Sequence, residues 1–265
     1  MKKIKTICLN CFGVPLFNKR KIRFELIGQE LAKTNADIIN LQEVFDFRDL
    51  KILIKYLGDK YNVLYTSKKS FIHSGLVIFI KKEIKYFDYK FKQFDNQGNK
   101  TLFSFPDGIA GKGFQSIKFI VEGSSIFFLN AHLMCQYNES LYLKKSHIDQ
   151  VNELSRVILS NGCSTIISGD LNCRPNSSEL IQFRSKNKLY EKLENYRYTV
   201  DLMNRNRGKF MNIFSHGHSF RTDYTFVSEN IILTKQNIIF DNLVKDGDRI
   251  YHISDHYGIY SEIEI

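Results

Sequence analysis

The most restrictive feature of this chain is a recurring junction: a short apolar run of strand length that meets a carboxylate, an amide or an imidazole at one end. Ile7-Cys-Leu9 is followed by Asn10, and Ile38-Ile-Asn-Leu41 by Gln42 and Glu43. Ile126-Phe-Phe-Leu129 leads to Asn130 and His132, and Thr165-Ile-Ile-Ser168 to Asp170 and Asn172. Further on, Arg221-Thr-Asp223-Tyr224 enters Thr225-Phe-Val227, and Ser254-Asp255-His256 precedes Tyr257-Gly-Ile-Tyr260. Runs this short and this apolar suit buried strands. In α/β sheets, ligands gather beyond the strand ends.

Helical periodicity fills the gaps between the runs. Residues 19–34 carry Ile22, Leu26, Ile27, Leu31 and Ala32 at helical spacing, so a helix of crossover length joins a strand at 3–10 to one at 38–41. Helices are also expected at 47–58, 138–161 and 177–188, the long one lined by Leu141, Leu143, Ile148, Val151, Leu154, Val157 and Ile158. Strands are expected at 61–66, 74–81, 84–92, 113–121, 124–131, 164–169, 222–228, 230–240 and 257–264. Residues 95–112 read as a long polar loop, and 195–221 as irregular. Two halves, each with strands and a long helix, predict two mixed β-sheets packed face to face with helices outside, a four-layer α/β/β/α sandwich.

A core of that size is affordable for a chain of 265 residues that is 43% hydrophobic, with 22 Phe and 14 Tyr in place of any Trp. There are only 3 Pro and no linker-like or repeated stretch, so residues 1–265 are expected to form one domain. The formal charge of +10 draws a protein towards phosphate-rich partners, but a Lys-rich solubilising surface gives the same number. The 5 Cys are odd in number and irregular in spacing, which argues against a disulfide framework. Cys8 and Cys11 form a C-x-x-C inside a strand and its exit, where half-buried packing is expected rather than zinc or redox chemistry. No window approaches a membrane span and no signal peptide is read at the N-terminus, so a cytoplasmic protein touching membranes only peripherally is expected.

Taken singly, each strand-end Asp, Asn, Glu or His is an ordinary turn or surface residue. Taken together they have the composition of a hard-cation phosphodiester site. Magnesium prefers one or two carboxylates plus water and substrate phosphate, a role that suits Glu43. The histidines and aspartates supply acid–base partners.

The set resembles the endonuclease/exonuclease/phosphatase superfamily, the DNase I-like fold. The motifs Leu9-Asn10, Leu41-Gln-Glu43, Ser74-Gly-Leu, Asn130-Ala-His132, Gly169-Asp-Leu-Asn172, Asp223-Tyr224 and Ser254-Asp-His256 occur in that order. Three features are similar to neutral sphingomyelinases: Leu9-Asn-Cys-Phe-Gly-Val-Pro15, His132-Leu-Met-Cys-Gln-Tyr137-Asn138, and the Asp107-Gly-Ile-Ala-Gly-Lys112 loop. Phe12 stands where those enzymes have Trp, and Ala131 where they have Thr.

The resemblance implies a magnesium-dependent phosphodiesterase, with Mn2+ as a substitute cofactor. It implies Glu43, Asn10 and Asp255 at the metal, and His256 as general base oriented by Asp223. Asp170 would orient the water, Asn172 and His132 would donate to the phosphate oxygens, and Asp107 and Lys112 would form a loop near the phosphate. The implied partner is a phospholipid, sphingomyelin or a relative, met at a membrane surface through exposed aromatics such as Phe12, Phe17 and the 194–221 loop. A nuclease or a phosphoinositide phosphatase of the same fold is the alternative, with nucleic acid as partner in the first case. A non-catalytic lipid- or nucleic-acid-binding module is a third reading, disfavoured by the completeness of the site.

Overall fold

A computed structural model of the chain describes residues 2–14, 19–69, 71–98, 111–135, 141–194, 197–204, 206, 218–247 and 249–265. In chain order the elements are β1 (Lys3–Asn10), α1 (Arg20–Thr34), β2 (Ile38–Gln42), α2 (Phe47–Leu57), β3 (Tyr61–Lys68), β4 (Phe71–Lys81) and β5 (Tyr86–Gln93). There follow β6 (Gly113–Val121), β7 (Ser124–His132), α3 (Leu141–Asn161), β8 (Ser164–Asp170), α4 (Ser178–Lys186) and β9 (Leu189–Tyr190). The chain closes with β10 (Asp223–Ser228), β11 (Ile232–Ile239), β12 (Val244–Asp246), β13 (Arg249–Tyr251) and β14 (Gly258–Glu264). The periodicity did not reveal the two-residue β9 or the short β12–β13 hairpin, which have too few residues to carry an alternation.

The strands form two six-stranded sheets, ordered β11-β14-β1-β2-β4-β3 and β5-β6-β7-β8-β10-β9. Each is mixed: β1 and β2 run parallel across the α1 crossover, and β7 and β8 run parallel across α3, while the remaining pairs are antiparallel. The apolar residues sort into three layers. Ile7, Leu9, Ile39 and Leu41 meet Phe24, Ile27 and Leu31 of α1 and Leu50 and Leu53 of α2. Leu129, Ala131 and Ile167 meet Val151, Leu154 and Ile158 of α3 and Leu180 and Phe183 of α4. Ile4, Ile38, Ile78 and Ile80 face Ile117, Phe119, Phe128 and Ile166 between the sheets. The order is helix, sheet, sheet, helix. It explains why the central runs read as continuously apolar, since both faces of β1, β2, β7 and β8 are covered.

Towards one end of the inter-sheet layer, apolar residues give way to amides. Gln42 Nε2 donates to Asn130 Oδ1 at 2.7 Å, joining the two sheets. Asn130 Nδ2 in turn donates to the carbonyls of Leu41 and Val77, at 3.1 and 3.3 Å, and to Gln115 Oε1 at 3.1 Å. These groups are fully buried, and a buried amide is tolerable only when its partners are in place. The bridge therefore fixes how the two sheets register at this end, which is the end where the strand-terminal polar residues collect.

Candidate active site

The two parallel pairs end side by side at the amide-bridged end of the sandwich. Asn10 is the last residue of β1 and lies in register with Gln42, so Glu43 follows directly beyond β2. His132 ends β7 in register with Asp170 at the end of β8. Antiparallel pairing then sets Asp223, the first residue of β10, opposite Asp170. Residues from five regions of the sequence thus meet because the sheet register aligns them.

The backbone bends sharply at this rim. Phe12, Glu43, Ser74 and Asn172 adopt left-handed conformations, with φ of 51°, 58°, 56° and 49°. Asn accepts that region readily, whereas Phe and Glu do so at a cost, and such strain concentrates where a side chain must be aimed. Gly169 is required by close approach, since a Cβ there would collide with the Ala131 carbonyl on the neighbouring strand.

Asn10 is the central linker. Its Nδ2 donates to Asp170 Oδ2 at 3.0 Å and to Glu43 Oε1 at 3.2 Å, while its Oδ1 accepts from the Phe12 N–H at 3.0 Å. In this arrangement Asn10 turns its N–H, not its oxygen, towards the carboxylates, so it orders them. Asp170 Oδ1 accepts from the Asn172 N–H at 3.0 Å, and Asn172 Nδ2 donates to the Leu133 carbonyl at 2.8 Å. His256 Nδ1 lies 2.8 Å from Asp223 Oδ2, to which the Thr222 hydroxyl also donates at 3.2 Å. Among the described residues, the other Asp223 oxygen is buried without a hydrogen-bond partner.

Lys112 is 4% exposed, and its Nζ lies 2.6 Å from His132 Nε2. Burial first, and then the charges of Lys112 and His256, hold the His132 imidazole well below the ordinary histidine range, so the ring is neutral. Its Nε2 therefore accepts from the Lys112 ammonium. The expected donation from His132 to a phosphate oxygen then falls to its other ring nitrogen, Nδ1, the protonated one in this tautomer. Asp107, expected to act with Lys112, lies outside the described residues.

Burial also governs the carboxylates. It pushes Asp170 up to about 6, with Asp223 adding to the effect and His256 opposing it. It pushes Asp255 up to about 6 against the pull of His256. Glu43 is raised in the same way, opposed by Lys112, His256 and the Asn10 hydrogen bond. Burial disfavours the charged form of His256 as well, but Asp223 and Asp255 outweigh it and keep the imidazolium well above the usual range. The site thus gathers more negative charge than it comfortably holds in a buried space, which suits a cation. Glu43 and Asp255 are hard oxygen donors of the kind magnesium or manganese takes. Among the described residues, Asp170, Asp223 and His256 also bring ligand atoms within 4.8 Å of one another. The 2.8 Å contact within that group already pairs His256 Nδ1 with Asp223, so acid–base work suits it better than metal ligation.

Several contributors escaped the sequence reading. Arg23 is 2% exposed and donates to the Cys11 carbonyl at 3.0 Å and the Phe12 carbonyl at 2.6 Å. A signal was available: Arg23 stands four residues before Ile27 on the buried stripe of α1, where a charge needs a reason. The Ser254 hydroxyl donates to the Asn10 carbonyl, tying the final site loop to β1. Two burial expectations need correction. Phe12 is 9% exposed and packs under the Arg23 guanidinium, 4.9 Å from it, so it is no membrane-facing aromatic. Cys8 and Cys11 are completely buried free thiols, not half-buried ones, and burial raises both beyond easy ionisation. Phe17 lies outside the described residues.

Comparison with known proteins agrees with this geometry. The model of the Endonuclease/Exonuclease/phosphatase family matches residues 9–256. A putative neutral sphingomyelinase of Drosophila melanogaster is 25% identical over 194 residues, covering 69% of this chain and 43% of that protein. An inositol phosphosphingolipids phospholipase C of Schizosaccharomyces pombe is 28% identical over 187 residues, covering 65% of this chain and 42% of that protein. The matched part therefore spans less than half the length of these curated relatives. Among solved structures, D. rerio TDP2 complexed with a single-strand DNA product superposes with TM-score 0.77 at 19% identity, over 100% of both chains. Sphingomyelinase C from Streptomyces griseocarneus superposes with TM-score 0.71 at 13% identity, over 99% of both. At these identities the solved structures establish the sandwich itself.

Proposed function

The chain belongs to the Endonuclease/Exonuclease/phosphatase family, and from that premise we propose that it is a magnesium-dependent phosphodiesterase of the sphingomyelinase kind. Its reaction would hydrolyse the headgroup ester of sphingomyelin or a related phospholipid, releasing phosphocholine or the corresponding phosphate ester. The observation that carries the reading is the His256–Asp223 pair at 2.8 Å, set beside Asp170 in a buried cluster of raised carboxylates. Similarity to the fly and fission-yeast sphingolipid proteins directs the choice of substrate.

Held by Glu43 and Asp255, a hard divalent cation would neutralise charge on a phosphate oxygen and offset part of the carboxylate field around His256. His256 acts as general base only when neutral. Asp223 keeps the Nδ1 proton in place, so Nε2 is the nitrogen that takes a proton from water. Asp170, steered by Asn10 and the Asn172 N–H, orients that water. The water oxygen bonds to phosphorus, the bond from phosphorus to the lipid oxygen breaks in line, the departing alkoxide takes a proton from solvent to become the lipid alcohol, and His256 gives the proton it took from the attacking water back to solvent. Lys112 and Asn172 provide positive charge and N–H donors to the phosphate oxygens as charge shifts.

No helix of the described residues is long and apolar enough to cross a membrane. Contact with a lipid surface would instead be peripheral. Tyr198, Leu202 and Met203 support it, being 45%, 37% and 80% exposed on the segment that packs against Tyr257.

A nuclease is the second reading. Its support is the +10 charge and the fold likeness to a structure carrying a DNA product. One assay panel separates the two: sphingomyelin, lysophospholipids, phosphoinositides, plasmid DNA and RNA, each with Mg2+, and His256→Ala as control. Release of phosphocholine supports the proposal. A nicked plasmid without lipid product rejects it in favour of the nuclease.

A further inference from the structure

Ser254-Asp255-His256 lies between β13 and β14 in a stretch with no regular secondary structure, yet its position decides whether His256 meets Asp223. A loop backbone has no ladder to hold it. Here three consecutive carbonyls ahead of Asp255 are each taken by a side-chain donor from elsewhere in the chain. Asn206 Nδ2 donates to the His252 carbonyl, Arg23 Nη1 to Ile253 at 3.4 Å, and Asn204 Nδ2 to Ser254 at 2.9 Å. On the far side of His256, the Tyr257 N–H donates to the Thr199 carbonyl at 2.7 Å. The stretch that supplies Thr199, Asn204 and Asn206 therefore brackets His256 from both sides.

Asn204 is 3% exposed and is itself fixed, because its Oδ1 accepts from the Asn206 N–H at 3.0 Å. Arg23 reaches the same loop from α1. Its guanidinium binds the Cys11 and Phe12 carbonyls as well as Ile253, so one rigid fork joins the turn after Asn10 to the turn before Asp255.

We propose that Asn204 and Arg23 are positioning residues which clamp the 253–254 backbone and thereby hold His256 against Asp223 and in line with Asn10. Neither is placed to touch the reacting atoms; each acts through carbonyls that a loop would otherwise leave to water. The consequence for rate rests on the phosphodiesterase reading, in which a displacement of about 1 Å at the base costs on the order of 100-fold. The clamp itself does not.

The test uses the full chain with Asn204→Asp, which keeps the acceptor for Asn206 while losing the donor, and with Asn204→Ala as its uncharged counterpart. Arg23→Lys keeps the charge and loses the fork. Hydrogen exchange read by mass spectrometry is expected to be about tenfold faster in the peptide covering 252–257 and unchanged in β1 and β8. With bis(4-nitrophenyl) phosphate and Mg2+, kcat is expected to fall about tenfold or more with KM within about twofold. Adding Asn204→Ala to His256→Ala should cause no further loss, since the clamp works through His256. Unchanged exchange in the Asn204 and Arg23 variants, or an Asn204→Ala loss of equal size with and without His256, would overturn the proposal. If the wild type hydrolyses no phosphodiester, the proposed reaction fails, and the exchange result alone decides for or against the clamp.

Discussion

His256 reaches back across the site to Asp223, Nδ1 to Oδ2 at 2.8 Å, and the strand register sets that aspartate opposite Asp170. The pair is buried, with 9% and 1% of the two side chains exposed, so its hydrogen bond is shielded from water and its charge state is set by neighbours.

Asp223→Asn removes the charge that orients the ring and leaves an amide able to favour the wrong tautomer. A lost base contributes about 10²–10⁴-fold to rate in comparable chemistry. Asp223→Asn is therefore expected to lower kcat by at least about 100-fold with little change in melting temperature. Near-normal turnover in steady-state assays would show that the pair is structural.

The pH dependence of stability follows from the direction of the His256 shift. Its folded pKa is raised above the unfolded value, so its contribution is complete below about pH 6.5 and is lost as pH rises through the folded pKa. Without divalent cation, His256→Ala is expected to be less stable than the wild type near pH 6, and the gap should narrow at alkaline pH. Urea melts across that range check it; a gap that widens with pH contradicts it.

Asp170 and Asp255 behave oppositely to salt-bridged surface carboxylates. Burial raises both to about 6, so the protonated forms favour the fold, and that stability is lost as pH rises through about 6. A cation that binds the ionised carboxylates should therefore raise the melting temperature more near pH 8 than near pH 5. Glu43→Gln should remove most of the gain. An equal Mg2+ shift at both pH values, measured by calorimetry, would argue against a carboxylate-held cation.

Asn130 bridges the sheets through Gln42, Gln115 and the carbonyls of Leu41 and Val77. Asn130→Ala strands several buried partners at once, and each unsatisfied group costs about 1–3 kcal/mol. A loss of at least about 2 kcal/mol in equilibrium unfolding is expected. A loss under about 0.5 kcal/mol would mean that water replaces the bridge without penalty.

Much of the fold was legible because the central strands are covered on both faces and so read as unbroken apolar runs. Ile126 to Leu129 is such a run, Ile38 to Leu41 is broken only by the buried Asn40, and α1 and α3 were visible through their apolar stripes. The strand-end residues Asn10, Glu43, His132, Asp170 and Asp223 were legible because each follows or precedes one of those runs. What the pattern could not give is how they pair. That His132 faces Lys112, or that Asn10 turns its N–H inward, depends on side-chain rotations set by neighbours distant in sequence. Phe12 misled for a related reason: an aromatic in a turn reads as exposed unless Arg23, more than two helical turns from it in the chain, is known to cover it. Arg23 could be seen only as a charge on a buried stripe; which carbonyls it and Asn204 hold leaves no mark in a sequence.

The central claim is tested most directly by hydrolysing sphingomyelin vesicles in oxygen-18 water and weighing both products. The account predicts one labelled oxygen in phosphocholine and none in the lipid alcohol, with turnover that requires Mg2+ and is lost in His256→Ala. Label in the alcohol, or equal turnover by His256→Ala, would contradict it.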